Sequence, residues 1–134
     1  MPLQPYVFFD GRCDEAIELY KSALGAEVKM LMRFGEAPAG QQQMPQPKDR
    51  VMHARLEIGG SVMLASDGQC GGSPTFQGFG LTLTTHDIED AKRKFGALTE
   101  GGQVRMPLDK TFFSPCFGMV VDRFGVLWMI YVGD

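Results

Sequence analysis

A chain of 134 residues, 44% hydrophobic and 22% charged, fits one compact domain with one core, burying about two-thirds of its unfolded surface. Its formal charge of −3 comes from 13 Lys and Arg against 16 Asp and Glu mixed along the chain, and the lack of a basic block disfavours nucleic acid and membrane surfaces as partners. No apolar run approaches the ~18 residues needed to span a bilayer. "MPLQPYVFFDGR" also lacks a basic n-region and a small-residue cleavage site, so the expected location is cytoplasmic.

"PYVFF" (5–9) is a short β-rich run, and "CDEAIELYKSALG" (13–25) sets Ala16, Leu19, Tyr20, Ala23 and Leu24 at helical spacing before Gly25. "AEVKMLMRF" (26–34) alternates as a strand, and "GEAPAGQQQMPQPKDR" (35–50) has the composition of an exposed loop or flap. "VMHARLEIGGSVMLASD" (51–67) predicts a hairpin on Gly59-Gly60, pairing Ile58 with Ser61, Leu56 with Met63 and Arg55 with Leu64. After a Gly-rich connector, "FGLTLTT" (79–85) reads as a strand and "DIEDAKRKFGAL" (87–98) as a helix. A strand or two with a loop covers 101–115, and "CFGMVVDRFGVLWMIYV" (116–132) is a second hairpin turning at 122–125.

The order thus restarts at mid-chain. Setting Ala16 on Ala91 places Glu15 on Asp90 and Tyr20 on Phe95, and Gly60 falls on Gly125. The expectation is a single domain of two repeated modules, roughly 1–69 and 77–134, joined by a Gly-rich connector at 70–76. Cys13, Cys70 and Cys116 are far apart with no CxxC spacing, so reduced thiols are expected. Nine methionines suit an irregular core or an adaptable apolar pocket.

The segments "PYVFFDGRCDEAIELYKSALGAEV", "HARLEIGGSVMLASD" and "DRFGVLWMIY" resemble the PhnB-type branch of the vicinal oxygen chelate superfamily, the glyoxalase, bleomycin-resistance and extradiol-dioxygenase group. The resemblance runs end to end and implies an α+β fold: two βαβββ modules forming a curled mixed sheet around a cleft, helices on the outer face, within a homodimer. The superfamily spans isomerases, dioxygenases, thiol transferases and drug-sequestering proteins, so fold alone assigns no activity. Its enzymes hold a divalent metal with one residue at the start of each module's first strand and one in each module's last strand. By that resemblance the positions fall on Pro5, Leu64, Gly80 and Met129. Pro, Leu and Gly side chains donate no lone pair, and a lone thioether is a poor ligand for such ions, which leaves Gln4 as a weak neighbouring donor. No metal and no cofactor are expected.

Alternation in "VMHARLEI" puts Met52, Ala54, Leu56 and Ile58 on one face and His53, Arg55 and Glu57 on the other. By resemblance Leu64 faces the cleft, so His53, Arg55 and Glu57 share that wall. With Val121 opposite Val126, the second hairpin would present Cys116, Gly118, Val120, Leu127, Met129 and Tyr131 to the cleft, making Cys116 the counterpart of His53. Arg33 would add a second guanidinium if its strand alternates as Lys29, Leu31, Arg33. Such a cavity suits a small organic molecule, anionic or amphipathic.

His53, Arg55 and Glu57 read equally as a solvated strand face with cross-strand charge pairs. As a metal ligand His53 would have only Cys116, Glu57 or Asp67 for company. His86 sits ahead of a helix that Thr85 or Asp87 would cap, and Trp128 alternates with Met129 toward the core. Two functions stand side by side: a metal-free binder that sequesters or senses a small organic ligand, and a metal-independent isomerase or lyase with His53 or Glu57 as general base and Arg55 stabilising an anion. No glycine-rich strand-to-helix turn followed by an acidic residue is present to hold S-adenosylmethionine, which speaks against methyl transfer.

Overall fold

Gly59 and Gly60 take φ of 55° and 86°, the pair of positive values that a two-residue hairpin turn of the mirror-image type demands. That turn sets the register of strands β3 (Val51–Ile58) and β4 (Ser61–Ser66): Ile58 lies opposite Ser61, Leu56 opposite Met63 and Arg55 opposite Leu64, as the spacing predicts. The computed structural model describes residues 1–36, 47–68 and 74–133, which divide into two compact units, Met1–Pro74 and Thr75–Asp134. Residues 37–46 of the Gln-rich loop, and Cys70 with most of the Gly-rich connector, lie outside the described residues.

The first unit adds β1 (Tyr6–Phe8), α1 (Cys13–Leu24) and β2 (Glu27–Arg33) to that hairpin. The sheet order is β1-β4-β3-β2, with β1 parallel to β4 and the other neighbours antiparallel. Helix α1 packs on the sheet face that carries Ala54, Leu56, Met63 and Ala65, all buried, through its own buried stripe of Ala16, Ile17, Tyr20 and Ala23. Its C-terminus closes on Gly25 in the left-handed region, whose N–H donates to the Lys21 carbonyl at 3.1 Å.

No residue of the helix's own turn caps its N-terminus; the carboxylate of Asp67, just past β4, does so instead. Oδ1 accepts from the Gly11 and Cys13 backbone N–H groups at 2.7 and 2.9 Å, and Oδ2 accepts from Val51 N–H at 3.0 Å. One buried charge thereby joins the start of α1 to the start of β3. The adjoining Cys13 thiol is buried, and burial, then the Asp67 carboxylate, push its pKa well above the ordinary range.

In the second unit β5 (Leu81–Thr85), α2 (Ile88–Thr99), β6 (Gln103–Asp109), β7 (Cys116–Val121) and β8 (Leu127–Val132) repeat the pattern. The order is β5-β8-β7-β6 with β5 parallel to β8. Together the units are two βαβββ modules of α+β class. Asp87 caps α2 by accepting from Glu89 N–H at 3.0 Å, and the helix buries Ala91, Phe95 and Leu98. Gly118 allows the helix to close on β7, since a Cβ there would lie 2.8 Å from a Phe95 ring carbon and 3.1 Å from the Leu108 Cα. Among the described residues no helix is long and apolar enough to cross a membrane.

The second hairpin corrects the expected register by one residue. Asp122 opens the turn as expected, its carbonyl accepting from Gly125 N–H at 3.0 Å, but it also bonds across the hairpin: its N–H donates to the Val126 carbonyl at 2.9 Å, and its side chain accepts from the N–H groups of Phe124 and Val126 at 2.9 and 3.0 Å. Residues 123–125 then form the loop, ending on Gly125 with φ 95°, and Val121 faces Leu127, not Val126. Met119 therefore faces Met129 and Phe117 faces Tyr131, while Cys116, Gly118 and Val120 pair with the buried Val132, Ile130 and Trp128 toward α2.

Asp90, in the first turn of α2, accepts from Thr85 Oγ1 at 3.0 Å and from Lys94 Nζ at 2.5 Å, and also contacts Arg93. The Lys94 ammonium is the largest influence holding its carboxyl below the usual carboxylate range. A carboxyl whose folded pKa is depressed stabilises above its unfolded value and loses that contribution as pH falls through the folded one. Asp90→Asn is expected to lower the melting temperature at pH 6, with the gap to wild type closing below about pH 4. Melting curves from pH 6 to pH 2 check this, and a gap independent of pH would contradict it.

Candidate functional site

The first unit's sheet has one face on α1 and one open face, and register defines the open one. Across it runs a row of Tyr6 (β1), Leu64 (β4), Arg55 (β3) and Met30 (β2). One step along the strands lie Phe8 beside Ser66 and His53 beside Met32. His53, Arg55, Glu57 and Leu64 do share this face. Tyr6 joins them: its hydroxyl lies 2.8 Å from His53 Nδ1, its ring stacks on Phe8 at 4.7 Å, and it meets the imidazole edge-on at 5.4 Å. Burial raises the phenol pKa above its ordinary value, and which of the two groups donates in this bond follows the imidazole tautomer.

Arg33 does not join this face. Lys29 is an extra residue between the Val28–Leu56 and Met30–Arg55 pairs, and a second shift at Met32 sets Arg33 opposite the buried Val51. Its guanidinium grips Asp14 of α1 through two hydrogen bonds of 2.9 and 3.0 Å and donates to the Asp49 carbonyl at 2.7 Å. It is a clamp between helix and strand, on the helix side. Glu57 lies across from Glu27, which binds Lys29 at 2.8 Å.

In the second unit the open face carries Phe117, Met119 and Val121 with Leu127, Met129 and Tyr131. Cys116 leaves the expected cleft set: the one-residue register difference turns it to the α2 side, buried, and it is no counterpart of His53. Phe113, Phe117 and Tyr131 form an aromatic cluster at one end of this face, with centroids 5.1 to 6.4 Å apart. Toward the other end opens a pocket of about 620 Å³, bounded by Phe76, Phe79, Gly80, Leu127, Met129 and Arg105. Its volume falls within the range of about 300–1,000 Å³ spanned by small-molecule clefts.

The positions that the resemblance assigns to metal ligands do not fit a metal. The Pro5 carbonyl accepts from Leu64 N–H at 2.9 Å, and Leu64 has no donor atom in its side chain. A Cβ on Gly80 would stand 2.7 Å from the Met129 Cε, so no ligating side chain enters there without displacing the thioether. Among the described residues no three His, Cys, Asp or Glu side chains cluster closely enough to hold an ion.

Two modules of this topology, each a mixed sheet with strand order 1-4-3-2 and a helix on one face, define the vicinal oxygen chelate class of fold. A glyoxylase/bleomycin resistance protein/dioxygenase domain from Frankia sp. EAN1pec shares that fold with a TM-score of 0.67 at 16% identity, over 98% of this chain and 94% of that one. Within the class, the chain belongs to the 3-demethylubiquinone-9 3-methyltransferase family, whose model matches residues 2–131. It is 39% identical over 140 residues to Protein YjdN of Escherichia coli K12, covering 98% of this chain and 95% of the relative. It also resembles the crystal structure of protein PA1353 from Pseudomonas aeruginosa, at 38% identity and a TM-score of 0.86, over 98% and 97% of the two chains.

Tyr6, Phe76, Phe79 and Arg105 are the site residues that sequence reasoning passed over. Alternation in "PYVFF" could have placed Tyr6 with Leu64 once β1 was paired in parallel. Arg105 carries a subtler signal, the repeat of Val28-Lys29-Met30 as Val104-Arg105-Met106.

Proposed function

We propose that this protein binds a small organic molecule in the pocket of its second unit without using a metal ion, as a sequestering or sensing protein. The pocket at Phe79, Met129 and Arg105 carries the reading: it joins a mainly apolar wall to one cation, which gives affinity and orientation respectively. The chemistry of Pro5, Leu64, Gly80 and Met129 supports the metal-free part.

Methyl transfer, which the family's description names, finds little support in the strand-to-helix turns. At the start of α1 the Gly11 and Cys13 amides already bind Asp67, and at α2 Asp87 occupies the same role. A helix start whose N–H groups already bind the chain's own carboxylate has fewer donors left for the carboxylate of S-adenosylmethionine.

A second reading rests on the Tyr6–His53 hydrogen bond of 2.8 Å. A metal-independent isomerase or lyase could take a proton with His53 or Glu57, with Arg55 facing the resulting anion. Thermal-shift screening of organic acids, antibiotics and S-adenosylmethionine separates these cases. A hit at saturating concentration is expected to raise the melting temperature by several degrees, with the gain lost in Phe79→Ala and kept in His53→Ala and Arg55→Ala. S-adenosylmethionine is expected to leave the melt unmoved. A hit lost in His53→Ala and kept in Phe79→Ala would move the site to the first unit, and turnover of that hit would establish the enzyme.

A further inference from the structure

The edge strands of the two units carry the same irregularity around the same three-residue motif. In β2, Val28 pairs with Leu56 and Met30 with Arg55, leaving Lys29 as the extra residue. In β6, Val104 pairs with Val120 and Met106 with Met119, leaving Arg105. Each unit thus presents a basic side chain at a bulge, a device that re-aims one residue out of the strand's alternation. The surroundings of the two cations differ.

Lys29 is neutralised inside its own unit. Glu27 binds it at 2.8 Å and holds its pKa above the ordinary value, and Glu57, across from Glu27, adds to the effect. In the second unit the corresponding pair is Gln103 opposite Val121, so both carboxylates are replaced by neutral side chains. Among the described residues no ion pair involves Arg105. Arg105 lines the pocket with Phe76, Phe79, Leu127 and Met129.

We infer that the pocket selects an organic anion: Arg105 takes the acid group, and an apolar body of aryl size fills the space between Phe76, Phe79, Leu127 and Met129. This rests on the pocket being the ligand site. The planar guanidinium offers paired N–H donors that match the oxygens of a carboxylate or sulfonate, and a pocket with apolar walls strengthens that bond relative to open water. The neutral equivalents of Glu27 and Glu57 leave that charge for the ligand.

Fluorescence titration of the full chain with anilinonaphthalene sulfonate, and with the uncharged phenylnaphthylamine, tests the inference. Arg105→Gln is expected to weaken the sulfonate about tenfold or more while leaving the uncharged probe within about twofold. Lys29→Gln, at the equivalent bulge, is expected to change neither, and Phe79→Ala to weaken both alike. Arg105 and Phe79 are exposed, so both variants should fold, which circular dichroism verifies. If Phe79→Ala weakens both probes but Arg105→Gln affects them equally or not at all, the pocket stands and its selectivity for anions is refuted. If Phe79→Ala weakens neither, the pocket is not the site.

Discussion

Asp67→Ala is expected to lower the stability of the protein by at least about 3 kcal/mol, a large part of the roughly 5–15 kcal/mol that keeps a small domain folded. The Asp67 carboxylate is buried and accepts from three backbone N–H groups, on Gly11, Cys13 and Val51. Hydrogen bonds to a charged group are worth about 1.5–3 kcal/mol each, and donors left buried without an acceptor cost about as much again as neutral bonds gain. The damage is also topological, because the same carboxylate joins the first turn of α1 to the first residue of β3. Urea denaturation followed by circular dichroism measures the loss, and Asp67→Asn, which keeps the shape and one acceptor oxygen, should lose less. Thiol labelling gives an independent view: Cys13 is fully buried and should stay unlabelled at pH 8 in wild type but react in Asp67→Ala. A stability loss under about 1 kcal/mol would show that water replaces the carboxylate at no cost.

Trp128→Ala is expected to cost about 3–5 kcal/mol from the lost burial and the cavity together. The indole is 2% exposed and lies on the α2 side of β8, opposite Val120. It also acts as a donor, since Nε1 donates to Asp122 Oδ2 at 2.9 Å, and Asp122 holds the turn that sets the register of β7 against β8. Its removal therefore opens a void and strips a donor from a buried carboxylate in one step. Trp128→Phe should restore part of the packing but not the hydrogen bond. A double-mutant cycle with Asp122→Asn, read by urea denaturation with circular dichroism detection, should show the two residues coupled; additive losses would mean that the indole only fills space.

The fold was largely legible in the sequence because its determinants are local. Helical spacing ending on Gly25, alternation in β3 and the Gly59-Gly60 turn each bind residues close in the chain, and the restart after mid-chain exposes the repeat. The first hairpin's register follows from the turn alone. The second hairpin's does not, since its turn depends on whether the Asp122 side chain folds back on Phe124 and Val126, and one residue of difference moved Cys116 from the open face to the helix side. Arg33 was misplaced for a related reason: the bulge at Lys29 breaks the alternation that would have carried Arg33 to the face of His53. Asp67 caps a helix that begins 54 residues earlier in the chain, a partnership that no local pattern announces. Tyr6 reaches His53 only because β1 pairs with β4. Arg105 was within reach through the repeated Val-basic-Met motif, but its lack of a carboxylate partner emerges only when the cross-strand neighbours are known.

Metal-free binding in the second unit's pocket is tested most directly by titrating the strongest thermal-shift hit calorimetrically into protein exhaustively treated with chelator. The titration is then repeated after incubation with Zn²⁺, Ni²⁺, Mn²⁺ or Fe²⁺ and removal of the excess, with elemental analysis of each sample. The same dissociation constant throughout, with only substoichiometric metal retained, is the result expected from Pro5, Leu64, Gly80 and Met129 at the metal positions. Binding lost on chelation and restored together with one equivalent of bound metal would contradict it.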